Sequence, residues 1–377
     1  MTLICLSYKK FSITALFSLI MTSLFSYAFG SNIPLALMPE KVTNNAVTQV
    51  VIGDEHYLLS FSGLSADKTY QVVHNKALTY HVKNNQWQEI SSIPLSISNR
   101  KLTHNLVGRL ASVATAIKDI AYIFGGYTVA ADHTEISISD VYSYDVVKDK
   151  YQLLKPMPVP VDDSVALPYQ QKYIYLISGW HNSGNVNLVQ LYNTKTNQWQ
   201  QATPYPGNPV FGHAGGIVKN KMLICDGVTI KVHKDTKRSY QDEAACYLGV
   251  INKEHPDKID WRTIKHPTNN ARYRMAALGL AKKQQIVFIG GSDNPYNYNG
   301  IGYNGKPSQP SNKVWIYDLI KQKWQVKSSQ TATMDHRGLL LIEDELVTLG
   351  GMTLNQKVLN SINAYPIIKP HKTMIKQ

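Results

Sequence analysis

Residues 286–291 read IVFIGG, an apolar run rich in β-branched residues that ends in a glycine pair. Such a run favours a short buried strand, and the glycines permit a positive φ or a close backbone approach where the strand ends. Runs of this kind occur six times along the chain, at intervals of 48 to 64 residues. They are YLLSFSG (57–63), AYIFGG (121–126), YIYLISG (173–179), MLICDG (222–227), IVFIGG (286–291) and ELVTLGG (345–351). Recurrence at this period indicates a repeat architecture in which each unit is one supersecondary structure.

A second pattern follows the first five glycine signals, an aromatic residue paired with a Trp, or in one case a Tyr, further along the chain. Each unit therefore offers four short strands, which cannot bury both faces alone but can do so when arranged radially as a propeller. The Trp side chains are expected to fill the space between neighbouring units. The pairs are Tyr80 and Trp87, Tyr144 and Tyr151 (with Tyr in the Trp position), Tyr192 and Trp199, Tyr247 and Trp261, and Tyr317 and Trp324.

The ends of the chain indicate how the ring closes. The last unit has one more strand near residues 361–365 and then a polar tail without a Trp strand. The segment IPLALMP (33–39) is similar to QEISSIP (88–94), which follows Trp87 in the first unit. We therefore predict an all-β, six-bladed β-propeller over residues 31–366, closed by an N-terminal strand in the last blade, with a polar C-terminal tail at 367–377.

The first thirty residues have the composition of a secretory signal peptide. Lys9 and Lys10 precede an apolar run at 11–25, which is shorter than the ~20 residues that a bilayer requires. We expect an exported protein, periplasmic or secreted, without an integral membrane anchor. The net charge is +13, or +11 without the leader, and it is scattered, so no nucleic-acid partner is expected. The sequence leaves the oligomeric state open.

Two cysteines remain beyond the expected leader, Cys225 and Cys246. The segments MLIC and EAACYL are predicted to be the paired second and third strands of blade four, which would place the two thiols side by side. A cross-strand disulfide and a pair of free buried thiols are both compatible with this arrangement.

Loops that join strands two to three, and strands four to one, must share one face of such a propeller. Polar and aromatic residues from five blades fall at these positions, and few of these residue types are buried without partners. We predict a ligand site at this channel mouth. The candidates are Arg109, Asp163, Trp180, His181, His213, Arg272, Arg274, Asp293, Asn294, Tyr296, His336 and Arg337.

The candidate residues suit an acidic sugar or an acidic peptide. Arg side chains bind carboxylates through paired hydrogen bonds, and Trp180 can stack on a sugar ring. The long segment GGSDNPYNYNGIGYNG (290–305) is predicted to display Tyr296, Tyr298 and Tyr303 over the mouth. The alternative is that the Arg and Asp residues neutralise one another around the channel and bind nothing.

The repeat pattern resembles Kelch repeats, and the six-bladed secreted form resembles the bacterial sialic acid mutarotases, which are N-acetylneuraminate epimerases. The resemblance covers residues 31–366 and implies mutarotation by a general acid and base. In that family a Glu directly follows the fourth glycine signal, but this chain has Val228 there. A helical insertion after the third glycine signal is also missing. The residues leave open whether the protein is an enzyme.

The sequence is also compatible with functions of other classes. A non-catalytic propeller that binds proteins or peptides is the alternative from a different class. An oxidoreductase resembling galactose oxidase is less favoured, because Cys225 and Cys246 lie in strands of one blade. Asp293, Asn297 and Asn299 lack the acidic ligands of a strong calcium loop, so no metal and no cofactor are expected.

Overall fold

The structure, a computed structural model, describes residues 34–95, 108–234 and 238–366. The expected leader and C-terminal tail lie outside these residues. From Leu35 onward the chain forms one compact unit, built from six antiparallel sheets that follow one another along the chain. No helix within the described ranges is long and apolar enough to cross a membrane. The prediction of an all-β six-bladed propeller is confirmed.

Each blade is a meander whose first strand lies nearest the central axis. The main strands are β1 (Ala46–Ile52), β2 (Glu55–Leu64), β3 (Val73–His81) and β4 (Gln86–Ile90) in blade one; β5 (Val113–Ile117), β6 (Ile120–Phe124), β9 (Val141–Asp145) and β10 (Lys150–Leu153) in blade two; β11 (Val165–Tyr169), β12 (Tyr173–Ile177), β15 (Val189–Asn193) and β16 (Gln198–Gln201) in blade three; β17 (Ala214–Val218), β18 (Lys221–Cys225), β21 (Cys246–Ile251) and β22 (Ile259–Ile264) in blade four; β23 (Ala276–Leu280), β24 (Gln285–Ile289), β25 (Ser311–Asp318) and β26 (Lys323–Thr333) in blade five; and β27 (Leu340–Ile342), β28 (Glu345–Leu349) and β31 (Ile362–Pro366) in blade six.

Short hairpins extend four of the connections between second and third strands. They are β7 (Tyr127–Val129) with β8 (Glu135–Ser137), β13 (Trp180–His181) with β14 (Gly184–Asn185), β19 (Val228–Val232) with β20 (Arg238–Asp242), and β29 (Met352–Thr353) with β30 (Lys357–Val358). In every blade, the residue that directly follows the glycine signal forms a β-bridge with a residue that precedes the innermost strand. Tyr127, for example, forms a bridge with Leu110. The two sets of loops therefore share one face, which we call the mouth face.

A ring of left-handed residues surrounds the axis just below the mouth face. One residue in each blade, shortly before the innermost strand, has a φ between 47° and 71°. Backbone hydrogen bonds link successive members, for example from the N–H of Arg274 to the carbonyl of Gly212 at 2.7 Å. Three of the six members, Asp163, Arg274 and Asp335, carry charged side chains that meet one another across the ring. The six members are Asn44, Ala111, Asp163, Gly212, Arg274 and Asp335.

The glycine signals allow neighbouring blades to touch through their backbones. A Cβ on Gly125 would collide with the carbonyl oxygen of Val161 in the next connection, and a Cβ on Gly350 would collide with that of Val42. Both glycines also have a positive φ, at 54° and 61°. Glycine is required at these places because any side chain would push two blades apart.

The Trp residues join adjacent blades, as the sequence predicts. The indole N–H of Trp199 donates to the carbonyl of Lys155, in the connection that leaves blade two, at 2.9 Å. Trp324 donates in the same way to Lys265 at 2.8 Å. Trp199 also packs with buried side chains of blade two, so each Trp covers apolar surface that one blade alone would expose.

Blade six packs on blade one and closes the ring. One apolar cluster combines side chains of both blades, including Leu58 and Val347, and the N–H of Gly351 donates to the carbonyl of Val42 at 2.9 Å. The N-terminal segment runs past this seam, where the N–H of Met38 donates to Asn360 at 2.7 Å. Within the described residues, however, blade six has three strands and the segment at 34–38 is irregular. Closure by an added N-terminal strand therefore stays a prediction.

Cys225 and Cys246 lie directly opposite each other on β18 and β21 and are joined by a disulfide. The two cysteines are 21 positions apart in the sequence, so the disulfide closes a loop of about that length. Restriction of such a loop in the unfolded chain is worth roughly 3 kcal/mol.

Substitution of both cysteines by Ser should therefore lower the free energy of unfolding by roughly 3 kcal/mol. Urea unfolding measures this difference, and reductant should weaken the wild-type protein by a similar amount without affecting the variant. Equal free energies of unfolding for the variant and the non-reduced wild type would contradict a stabilising disulfide.

Candidate functional site at the propeller mouth

Four charged side chains meet on the axis and form what we call the ionic network, Asp163, Arg274, Asp335 and Arg337. Arg274 donates from Nε to Asp163 at 3.0 Å and from Nη1 to Asp335 at 3.1 Å. Arg337 pairs with Asp163 at 2.8 Å and with Asp335 at 3.1 Å. The four side chains are buried, with 0 to 3% of each exposed. Each Arg thus bridges both carboxylates, and the two positive charges balance the two negative ones.

Neutral side chains complete the ionic network. Thr43 and Asn44 donate to the second oxygen of Asp335, and the guanidinium of Arg274 lies 4.6 Å from the ring centroid of Tyr273 and 5.2 Å from that of Tyr296. Burial alone would raise the pKa of Asp335, but the charges of Arg337 and Arg274 outweigh it and hold the pKa below its usual value. Asp335 therefore remains ionised.

The ionic network determines whether Arg274 and Arg337 are free to bind a carboxylate of a ligand. Arg274 and Arg337 were predicted to bind a carboxylate of the ligand, but two internal carboxylates already occupy their donors. A ligand carboxylate would have to displace Asp163 or Asp335 and leave it as a buried unpaired charge, which is strongly unfavourable. The alternative in which Arg and Asp neutralise one another describes these four residues correctly.

Above the ionic network lies a small cavity of about 50 Å³, which we call the mouth cavity. Aromatic rings from four blades form much of its wall. The rings of Tyr240 and Tyr303 stack at 3.9 Å, and Trp180 contacts Phe211 edge to face at 5.4 Å. The lining residues are Tyr127, Glu135, Asp162, Asp163, Trp180, Phe211, Tyr240, Arg274, Asn297, Tyr298 and Tyr303.

Two carboxyl groups of the mouth cavity lie outside the ionic network, Glu135 and Asp162. Asp162 is buried and accepts a hydrogen bond from Ser137 at 2.7 Å; burial and then the charge of Asp163 raise its pKa well above the ordinary value. Glu135 stands on β8 at the rim and is exposed to solvent as a residue, yet desolvation by the protein around its carboxyl group raises the pKa to about 7, against the opposing charge of Arg274. Glu135 therefore exists in both protonation states at neutral pH, and the raised pKa of Asp162 favours its protonated form.

Below the ionic network the central channel has a volume of about 280 Å³. His213 and His336 line its upper end, together with small side chains of the innermost strands. The ring Nε2 of His213 lies 2.8 Å from the carbonyl oxygen of Ile177. Burial lowers the pKa of both histidines to about 4, so both are neutral at pH 7.

The neutral histidines predict a loss of stability in acid. Because each stays neutral in the folded protein down to about pH 4 while its unfolded pKa is about 6.5, the unfolded chain binds more protons between these values. The stability contribution is complete above pH 6.5 and is lost as the pH falls toward 4. Between pH 7 and 4.5 the free energy of unfolding of His213→Gln should fall by roughly 2.5 kcal/mol less than that of wild type. Urea unfolding at both pH values tests this, and parallel losses would contradict it.

The structure brings some predicted residues together and separates others. Asp163, Trp180 and Arg274 line the mouth cavity, while His213, His336 and Arg337 line the channel beneath it. Outside both linings, His181 contacts Pro160, Arg272 lies 3.9 Å from the exposed Asp293, and Asn294 donates to Lys306 within its own loop. A ligand role for these four residues has no support from the geometry.

Two candidates lie where the sequence did not place them. Arg109 is completely buried and donates to the carbonyls of Gly125 and Pro94, away from the wall of the mouth cavity. Tyr296 is also completely buried, and it packs on Tyr273 and Arg274 instead of being displayed over the mouth. Both residues have structural roles, because large side chains at these positions fill space between blades.

The long loop of blade five does reach the mouth, but through other residues. Asn297, Tyr298 and Tyr303 line the mouth cavity, and the loop is held by backbone bonds such as that from Asn297 to Ile301 at 2.9 Å. Three further lining residues, Glu135, Tyr127 and Tyr240, were not among the candidates predicted from the sequence. The one available signal was the extra length between a glycine signal and the following strand, which locates a hairpin on the mouth face but does not select a residue within it.

One cluster of metal-binding atom types occurs among the described residues, formed by Asp226, Cys246 and His266. Cys246 is held in the disulfide, and His266 lies 2.7 Å from Asp226. Burial raises the pKa of Asp226 to about 6, and His266 opposes this shift. These groups satisfy one another within blade four, so the cluster is not assigned to a metal.

Comparison with known proteins agrees with the repeat. A Kelch motif matches residues 108–158, the part of the chain that forms blade two. The chain is a Kelch-repeat β-propeller. The solved structure of YjhT has a TM-score of 0.67 at 14% identity and covers 90% of this chain and 98% of its own, which places the two in one fold.

Curated relatives are distant. Kelch-like protein 15 of Danio rerio is 22% identical over 65% of this chain, which spans only 39% of that protein's length. N-acetylneuraminate epimerase of Salmonella typhi is 20% identical, over 75% of this chain and 79% of its own. N-(sulfonatooxy)prop-2-enimidothioate sulfolyase of Thlaspi arvense is 22% identical, over 79% and 87%. This Kelch propeller is thus distantly related to sialic acid mutarotases, among proteins with different activities.

Proposed function

We propose that this Kelch propeller binds a carbohydrate at the mouth cavity and catalyses exchange between its anomers. The observation that carries the proposal is the position of Glu135, a carboxyl group with a pKa of about 7, in a cavity walled by aromatic rings. Trp180 and Tyr240 offer ring faces on which the apolar face of a sugar can stack. The distant relation to N-acetylneuraminate epimerases supports a reaction at an anomeric carbon.

Ring opening requires two proton transfers. Glu135 as a carboxylate removes the proton of the anomeric hydroxyl, and the protonated Asp162 donates a proton to the ring oxygen as the bond between that oxygen and the anomeric carbon breaks. Rotation of the resulting aldehyde and reversal of both transfers close the other anomer. No oxidant or reductant is consumed, and both carboxyl groups return to their starting states.

Equilibrium binding separates this proposal from a peptide-binding propeller. Calorimetric titration with a panel of neutral, acidic and amino monosaccharides should give binding to at least one sugar, and Trp180→Ala should weaken that binding. Trp261→Phe is the matched control, because Trp261 lies between blades and outside the mouth cavity. Binding to none of the sugars would overturn the carbohydrate function.

We also propose that the protein works in an oxidising compartment, the periplasm or the outside of the cell. The buried disulfide between Cys225 and Cys246 supports this location, because such bonds persist mainly where thiols are not kept reduced. Fractionation of cells that express the full chain tests it, and recovery in the cytosolic fraction alone would contradict it.

A further inference from the structure

The charged groups that line the mouth cavity are mostly carboxyl groups. Glu135, Asp162 and Asp163 are acidic, and Arg274 is the one cationic lining residue within the described part of the chain. Arg274 already pairs with Asp163 and with Asp335 behind it. Its positive charge is therefore balanced inside the protein, and the groups left to face a ligand are the carboxyl groups of Glu135 and Asp162.

The aromatic wall favours the same sign of ligand charge. The face of an aromatic ring is the negative end of its quadrupole and attracts a cation placed over it, most strongly where water is excluded. Trp180 and Tyr240 lie 6.2 Å apart with a tilt of 33°, and Tyr303 stacks on Tyr240. A cavity with rings on its sides and the Glu135 carboxyl group at its rim is complementary to a positively charged group.

The size of the mouth cavity limits what can enter it. Pockets that enclose a whole small molecule usually have volumes of about 300–1,000 Å³, whereas this cavity measures about 50 Å³. One substituent of a sugar can fill it while the ring stays at the aromatic rim. A carboxylate in that place would meet the carboxyl group of Glu135, whereas an ammonium group can donate to it.

We propose that the mouth cavity is selective for a cation and takes the protonated amino group of an amino sugar. This inference rests on the proposed carbohydrate function and replaces the acidic sugar that the sequence suggested. The ammonium group donates to the Glu135 carboxylate, which leaves Asp162 free to act on the ring oxygen, and the rings of Trp180 and Tyr240 lie beside the carbon atoms of the sugar.

A matched set of ligands tests the selectivity on the full-length protein. Calorimetry at pH 7 with glucosamine, N-acetylglucosamine and glucuronate compares a cation, a neutral amide and an anion on related rings. Glucosamine should bind at least about tenfold more tightly than N-acetylglucosamine, and glucuronate should bind most weakly. Equal binding of the first two, or tighter binding of glucuronate, would overturn the cation selectivity.

Two variants locate the effect, and one probe separates it from the carbohydrate function. Glu135→Gln and Tyr240→Leu should each reduce the preference for glucosamine, while Glu254→Gln, in an exposed turn of blade four outside the mouth cavity, should leave it unchanged. An undiminished preference in both test variants would overturn the assignment to this cavity.

Cyclohexylammonium carries the charge without a sugar. Its binding in the absence of any sugar binding would support the cation selectivity and overturn the sugar function, and failure of every probe would overturn both.

Discussion

Replacement of Arg274 by Met should lower the free energy of unfolding by about 3–5 kcal/mol. Arg274 bridges Asp163 and Asp335 on the propeller axis, and both carboxylates are buried. Removal of the guanidinium leaves two negative charges that share only Arg337, in a place where water cannot solvate them. Urea unfolding at pH 7, followed by Trp fluorescence, measures the loss.

The matched control is Lys83→Met, which removes an ion pair with Glu55 of similar length, 2.7 Å, at the surface. Solvent screens that pair, so its loss should change stability little. Addition of Asp163→Asn to the Arg274→Met variant should restore part of the stability, because it removes one of the unpaired charges. An Arg274→Met variant as stable as the Lys83 variant would contradict the role assigned to the ionic network.

Replacement of Glu135 by Gln should slow anomer exchange by on the order of 10²–10⁴-fold at saturating sugar. The amide keeps the shape of the side chain but cannot accept the anomeric proton. In the wild-type protein the rate should rise as the pH increases from 5 to 7, because Glu135 becomes a carboxylate over this range. NMR exchange spectroscopy on a sugar that binds measures both effects.

Glu254→Gln serves as the control for loss of a surface carboxylate and should exchange the sugar at the wild-type rate. A neutral sugar should still bind the Glu135→Gln variant, since that substitution leaves the aromatic wall in place. Wild-type exchange by the Glu135→Gln variant would remove Glu135 from the mechanism and leave the mouth cavity as a binding site alone.

The blades could be predicted from sequence because local chemistry decides them. A β-branched run followed by glycine has few alternatives to a buried strand that ends against a neighbouring backbone, and Gly125 and Gly350 meet such backbones. The opposition of Cys225 and Cys246 followed from counting strands in one blade. The closing N-terminal strand stays a prediction, because the described segment at 34–38 is irregular, although the N–H of Met38 donates to the carbonyl of Asn360 in blade six.

The partners of the charged residues could not be predicted from sequence. Arg274 and Asp163 are 111 positions apart, and only the meeting of blades three and five on the axis brings them together. The same pattern of Arg and Asp is compatible with an open ligand site and with a closed ionic network. Tyr296 illustrates the opposite error, because a loop rich in polar residues suggested exposure while the fold needed a large ring beside Arg274.

The position of the candidate base differs from the one that the family resemblance implies. Val228 occupies the position after the fourth glycine signal, and it is buried in a bridge with Phe211. Glu135 reaches the mouth from the β7–β8 hairpin of blade two instead. Within one propeller, hairpins from different blades approach the same axis, so a carboxyl group can be supplied to the mouth from more than one blade.

Anomer exchange in the presence of the wild-type protein is the most direct measurement of catalysis at the mouth cavity. An amino sugar that binds in calorimetry is equilibrated at pH 7, and exchange between its α and β anomers is followed by NMR with and without protein. If the protein catalyses the reaction, the rate of anomer exchange rises in proportion to the protein concentration. The Glu135→Gln variant does not produce this increase. Exchange at the buffer rate, with the sugar demonstrably bound, would contradict it.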